Sequence, residues 1–211
     1  MDADPVEIRV LGCLIEKQRT TPDSYPLSLN SLRLACNQAT NRDPVVEYDE
    51  RQIKAALERM SSRGWTRFAS GASSRALKYR HLLDEALSLS DGEISLLAVL
   101  MLRGPQTLGE LKARSERLHR FDSLEQVAQT LEDLAGRELA IRLPRRPGQK
   151  EDRYGQLLGG ETEGEPGGEA DVQAPAPASD DQVATIEERL GRLEQTVNEL
   201  LARLDKVPGR E

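Results

Sequence analysis

The chain has 211 residues, 37% of them hydrophobic and 3% aromatic, and a net charge of −7. That length holds one or two domains, and the aliphatic bias favours two small cores over one large core. One Trp and four Tyr leave little for stacking single-stranded bases, and no segment approaches the roughly 20 apolar residues of a membrane span.

The charge is uneven. Residues 1–81 carry 13 Lys and Arg against 10 Asp and Glu, residues 82–158 carry 11 against 13, and residues 159–211 carry 5 against 13. The acidity therefore belongs mostly to the tail, and the first part is mildly basic. The start Met1-Asp2-Ala3-Asp4 lacks the basic region of a signal peptide, so a cytoplasmic protein is expected.

In chain order, Asp4-Pro5-Val6-Glu7 offers a helix cap, a Pro at the first helical position and an acid at the third. The apolar positions Val6, Val10, Leu11, Leu14 and Ile15 follow at helical spacing. Ser28 caps a second helix with Leu29, Leu32, Leu34 and Ala35, and Asp49 with Gln52 caps a third with Ile53, Ala56, Leu57 and Met60. That helix ends near Arg63-Gly64. The run Trp65 to Phe68, the turn Gly71 to Ser74 and Ala76 to Tyr79 then read as a hairpin.

Residues Leu82 to Leu89 join this unit to a second copy. Caps with an acid three residues on recur at Ser90 with Glu93, Thr107 with Glu110, and Asp122 with Glu125. The apolar stripes are Ile94, Leu97, Ala98, Met101 and Leu102, then Leu108 and Leu111, then Leu124, Val127, Leu131 and Leu134. A hairpin follows: Leu139 to Leu143, the turn Pro144 to Gly148, and Arg153 to Leu157. Three helices and a hairpin, occurring twice, outline two tandem winged helices. The expected fold is mainly α with small β-hairpins, with modules over 4–81 and 90–158. Cys13 and Cys36 fall in apolar helical patterns and are expected to be reduced, buried thiols.

Residues 159–179 are Gly, Glu, Pro and Ala, the composition of a disordered acidic linker. Over 180–206 the positions Val183, Ile186, Leu190, Leu193, Val197, Leu200 and Leu204 alternate by three and four, the a and d seam of a coiled coil. Homo-oligomerisation through this helix is expected, the alternative being a tail that docks on its own chain.

Several strings resemble the YceH-like family of bacterial proteins: Leu11 to Lys17, Thr21 to Asn30, Ala35 to Pro44, Leu102 to Thr107, Glu116 to His119 and Leu143 to Glu151. The resemblance covers about residues 5–158 and implies a bacterial protein with two winged-helix domains. It implies no activity, cofactor or substrate. Residues 159–211 lie outside it.

A winged helix suggests double-stranded DNA as the partner and a regulatory role. The segment Asn37, Gln38, Thr40, Asn41 and Arg42 lies between the second and third helices, where a turn approaches nucleic acid. Asn and Asp also close turns and cap helices, so a structural role stands beside the contact role. The outer face of the third helix carries Arg51, Lys54, Glu58 and Ser62 and is mixed rather than basic, with Arg51 and Lys54 as its candidates for the groove. Arg75 and Lys78 decorate the first wing, and Arg145, Arg146 and Lys150 the second, as candidates for phosphate. Lys112, Arg114, Arg117 and Arg120 extend that basic surface, offset by Glu110 and Glu116. The third helix of the second copy presents Glu125, Gln126, Gln129, Glu132 and Asp133, which phosphates repel. That face suits a protein partner, and the alternative function is an interaction scaffold. His81 and His119 lack metal-ligand spacing with the cysteines, and there is no Gly-rich phosphate loop or nucleophile elbow. The expected protein is non-enzymatic, without cofactor or metal.

Overall fold

Helices begin where side chains can satisfy their first amides. The computed structural model describes residues 3–69, 77–145 and 149–160. Helix α1 (Pro5–Thr20) opens on a reciprocal cap in which Asp4 accepts from the Glu7 amide at 2.8 Å and Glu7 accepts from the Asp4 amide at 2.8 Å. A two-residue strand β1 (Leu27–Ser28) leads into α2 (Leu29–Cys36), capped by Ser28. Helix α3 (Glu50–Ser62) starts on an Asp49–Gln52 box. Gly64, at φ +76°, then reverses the chain in a conformation that side chains other than glycine rarely adopt. Strands β2 (Thr66–Ala69) and β3 (Lys78–His81) follow.

The joining segment folds as a short helix, α4 (Leu83–Leu87). The second copy is α5 (Asp91–Arg103), α6 (Leu108–Ser115), α7 (Leu124–Gly136), β4 (Ala140–Leu143) and β5 (Arg153–Gln156). Its α7 begins one residue later than the spacing of Asp122 and Glu125 predicts. Ser123 is the cap and accepts from the Gln126 amide at 3.2 Å, while the Gln126 side chain accepts from the Asp122 amide at 2.9 Å. Both frames contain a capping residue and a Glu or Gln three positions on, so local chemistry alone does not separate them.

Both sheets are small and antiparallel. The first has the order β1-β3-β2, with Leu27 and Phe68 on either side of Tyr79. The second pairs Ala140 with Gln156 through Leu143 with Arg153. Gln106, just before α6, bridges to Tyr154 through backbone bonds of 3.0 and 2.8 Å. It occupies the place that β1 holds in the first copy. The element order therefore repeats to a finer level than helices and hairpins alone.

The two copies do not keep separate cores. Buried apolar side chains form one cluster from Ala3 to Leu158. Helices α1 and α5 pack along one another, with Gly12 at the contact: a Cβ there would lie 2.9 Å from Leu102 Cδ2. The stripes expected for these helices are buried apart from the half-buried Val6, and so are Ile8 and Cys13 on α1 and Leu96, Val99 and Leu100 on α5. Helices apolar all round bury more than one face: here one meets their own module and another meets the other copy. The expectation of two small cores is corrected accordingly. Backbone bonds tie the copies further, from Asp43 N to Leu102 O at 2.8 Å and from Ala3 N to Leu158 O at 2.9 Å. Two stripe positions also differ: Leu34 is 56% exposed, because α2 buries Leu32, Ala35 and Cys36 instead, and Leu124, the first residue of α7, is 45% exposed while Val127, Leu131 and Leu134 are buried.

Candidate nucleic-acid interface

The polar turn after α2 is largely occupied with the protein's own groups. Asn37 caps α2 and closes the loop, donating to Tyr48 O at 2.8 Å and accepting from Tyr48 N at 2.9 Å. Arg42 is 6% exposed. Its Nε donates to Ala35 O at 3.1 Å; Nη1 donates to Glu16 Oε1 at 3.1 Å and Asn41 O at 2.8 Å; Nη2 donates to Glu16 Oε2 at 2.7 Å and Gln38 Oε1 at 2.9 Å. A guanidinium has five N–H donors, and these contacts use all five. Arg42 therefore has no donor to offer a phosphate. Burial alone would raise the Glu16 carboxyl, but the Arg42 bond and charge, with Lys17, hold it below the ordinary carboxylate value. Thr40 and Asn41 remain exposed, Asn41 in the left-handed region at φ 60° and bonded to Arg103.

The outer face of α3 is open. Arg51 and Lys54 are exposed; Arg51 has no ion pair among the described residues, and Lys54 has only Glu58 at 4.0 Å along the helix. The cations one and two turns on differ. Arg59 joins Asp4 and the buried Glu7, Arg63 reaches Glu7 at 3.3 Å, and Arg63 also lies over the Trp65 ring at 5.1 Å. Beside α3, the sheet adds the exposed Arg67 and the half-buried Lys78. Arg67 is not among the candidates the sequence suggests.

In the second copy, the exposed residues of α7 include Glu125, Gln126, Gln129, Glu132 and Asp133, with Gln129 donating to Asp133 at 3.1 Å. Its hairpin cations are partly neutralised. Arg142 and Arg145 both bond Asp152, whose carboxyl they hold below its ordinary value. Lys150 is exposed without an ion pair among the described residues. Arg75, Arg146 and the heptad positions Val183, Ile186, Leu190, Leu193, Val197, Leu200 and Leu204 lie outside the described residues.

The titratable groups of the interior make a separate set. Cys13 and Cys36 are buried free thiols, and the bond to Cys13 together with burial pushes the Cys36 thiol up. Burial pushes the His81 imidazole down to about 4, against the pull of Asp84 and with the help of Arg19 and Arg80. With that lowering the ring is neutral near neutral pH, and its Nε2 lies 2.6 Å from Gln18 Oε1, an oxygen that can only accept. Among the described residues no group of three or more His, Cys, Asp or Glu is placed to hold a metal ion, and no helix is long and apolar enough to cross a membrane.

Residues 3–149 match the family model described as "Protein of unknown function, DUF480". The chain is 47% identical over 192 residues to a UPF0502 protein of Geotalea daltonii, covering 90% of this chain and 86% of that one. A UPF0502 protein of Pseudomonas aeruginosa is 48% identical over 186 residues, 86% of this chain and 83% of its own. One of Stenotrophomonas maltophilia is 44% identical over 206 residues, 98% of this chain and 94% of its own. That last match runs beyond residue 158, where the resemblance read from sequence strings stopped. The chain belongs to the DUF480 family.

Proposed function

We propose that this DUF480 member is a cytoplasmic, non-enzymatic tandem winged-helix protein that binds double-stranded DNA in a regulatory role, reading it with its first copy. The observation that carries this is the open α3 face, where Arg51 and Lys54 stand outward while neighbouring cations are tied down. The repeated order of helix, short strand, two helices and hairpin supports the winged-helix reading. Arg51 and Lys54 approach the groove, and Arg67 and Lys78 approach the backbone beside it. The second copy's acidic α7 face repels phosphate.

Fluorescence anisotropy with short duplexes over a salt series tests this. Arg51→Ala and Lys54→Ala should each weaken binding across sequences and reduce the salt slope by about 1. Absence of duplex binding at low salt refutes the proposal. The exposed Glu125, Glu132 and Asp133 favour a second reading, a protein partner at α7. A partner recovered by pull-down should then be lost when these three become Lys, and its retention rejects that surface. Self-association through the heptad positions completes the proposal: light scattering should show a multimer that deletion of 180–211 reduces to a monomer, and an unchanged mass refutes it.

A further inference from the structure

A cleft of about 420 Å³ opens between the copies, walled by α1, α5, α6 and the loop after α2. Its lining carries Lys17, Arg103, Arg114 and Arg117 against one carboxylate, Glu16. That carboxylate is already clasped by the buried Arg42. Arg117 is exposed and has no ion pair among the described residues. Arg114 reaches Glu110 only at 3.5 Å, and Glu110 also meets Arg153 at 3.4 Å and the Thr107 amide at 2.8 Å. The cleft therefore gathers more positive charge than its own acids balance.

Three helices end at this cleft, and their C-termini oppose the proposal in part. Each such end carries roughly half a negative charge. The last carbonyls are partly satisfied, however: Thr21 N bonds Lys17 O at 3.0 Å, Gly104 N bonds Leu100 O at 2.9 Å, and His119 N bonds Ser115 O at 2.8 Å. With the buried Arg42, five cations stand against the carboxylates Glu16 and Glu110, and the remaining positive charge outweighs three screened half charges. The Arg103 guanidinium reflects the imbalance: burial, then Arg114 and Arg42, push its pKa below the ordinary value despite Glu16 and Asp43.

We propose that this cleft binds a small phosphorylated ligand bearing a phosphate or pyrophosphate group. Its volume lies within the range of small-molecule sites, about 300–1,000 Å³, and the cleft is concave where a duplex needs an open face. Arg114 and Arg117 present planar donors suited to phosphate oxygens. The exposed Thr40 and Asn41 stand at the rim, with hydrogen-bonding groups for the remainder of the ligand. The site does not depend on DNA binding by α3.

Isothermal titration of the full chain with inorganic pyrophosphate tests the proposal, with chloride at matched ionic strength as the blank. One pyrophosphate per chain is expected. Arg114→Ala and Arg117→Ala should each weaken it about tenfold, while Arg137→Ala, an exposed cation paired with Glu93 and outside the lining, should leave it unchanged. Unaltered unfolding midpoints confirm that the variants fold. Heat indistinguishable from the chloride blank overturns the proposal, as does equal binding by the Arg114 and Arg117 variants. A duplex titrated in competition separates the sources: if Arg51→Ala and Lys54→Ala weaken pyrophosphate as they weaken duplex, the charge belongs to the DNA surface and the small-ligand site is refuted.

Discussion

Replacing Arg42 by Met tests whether the turn after α2 is a contact or a brace. The substitution removes five hydrogen bonds at once and strands Glu16, whose side chain is 14% exposed, beside a pocket without its cation. Breaking a buried ion pair from one side costs about 3–5 kcal/mol. Lys17, 3.4 Å from Glu16, supplies partial compensation, so the lower end, about 3 kcal/mol, is expected in urea unfolding at neutral pH. Replacing both Arg42 and Glu16 by Met should be less damaging than Arg42→Met alone, because no charge is then left uncompensated. The pair also fixes a pH dependence. The Glu16 carboxyl is held below its ordinary value, so its contribution is full above that value and is lost as pH falls through the lower, folded one. A surface phosphate contact behaves oppositely. If Arg42→Met changes stability by less than about 0.5 kcal/mol while duplex affinity falls, the brace is refuted.

Two further outcomes follow from single sites. His81 has a folded value of about 4 against 6.5 when unperturbed, so the unfolded chain takes up a proton first as pH drops. Stability should fall by about 3 kcal/mol between pH 6.5 and 4, and His81→Gln should flatten that part of the profile; parallel profiles for the two proteins reject the burial argument. Ser123→Ala should cost about 1 kcal/mol in chemical unfolding and Asp122→Ala only a few tenths, an order that reverses if Asp122 is the true cap.

The elements that were legible in the sequence are those built from neighbours. The boxes at Asp4, Asp49, Ser90 and Thr107 lie within four residues, and each is formed. The frame at Ser123 was ambiguous because two overlapping boxes satisfy the same rule. Strand β1 and the Gln106 bridge were invisible, since one or two residues carry no period. The burial of Arg42 was also invisible: its main partner, Glu16, is 26 residues away. The shared core has a signal in the sequence beyond the single stripe on each helix. Val10 to Ile15 and Ile94 to Leu102 are almost unbroken runs of apolar or small residues, which a helix with a solvent face does not carry.

That shared core changes what the repetition does. If the copies were separate beads, each third helix would be a candidate reader and the polar loop after α2 would belong to the first. With α1 packed on α5 at Gly12 and Asp43 bonded to Leu102, the loop is held between the copies instead. Gln38, Thr40 and Asn41 then line the same cleft as Arg103, Arg114 and Arg117. The residues suspected of touching DNA stand where a ligand in the cleft would meet them, and the loop's far end at Asp49 caps α3. Any ligand that braces this loop acts on the element that positions Arg51 and Lys54. The proposed cleft and the proposed DNA face are joined by thirteen residues of chain, from Asn37 to Asp49, and a cleft ligand changes DNA affinity only as far as its own affinity differs between the DNA-free and the DNA-bound protein.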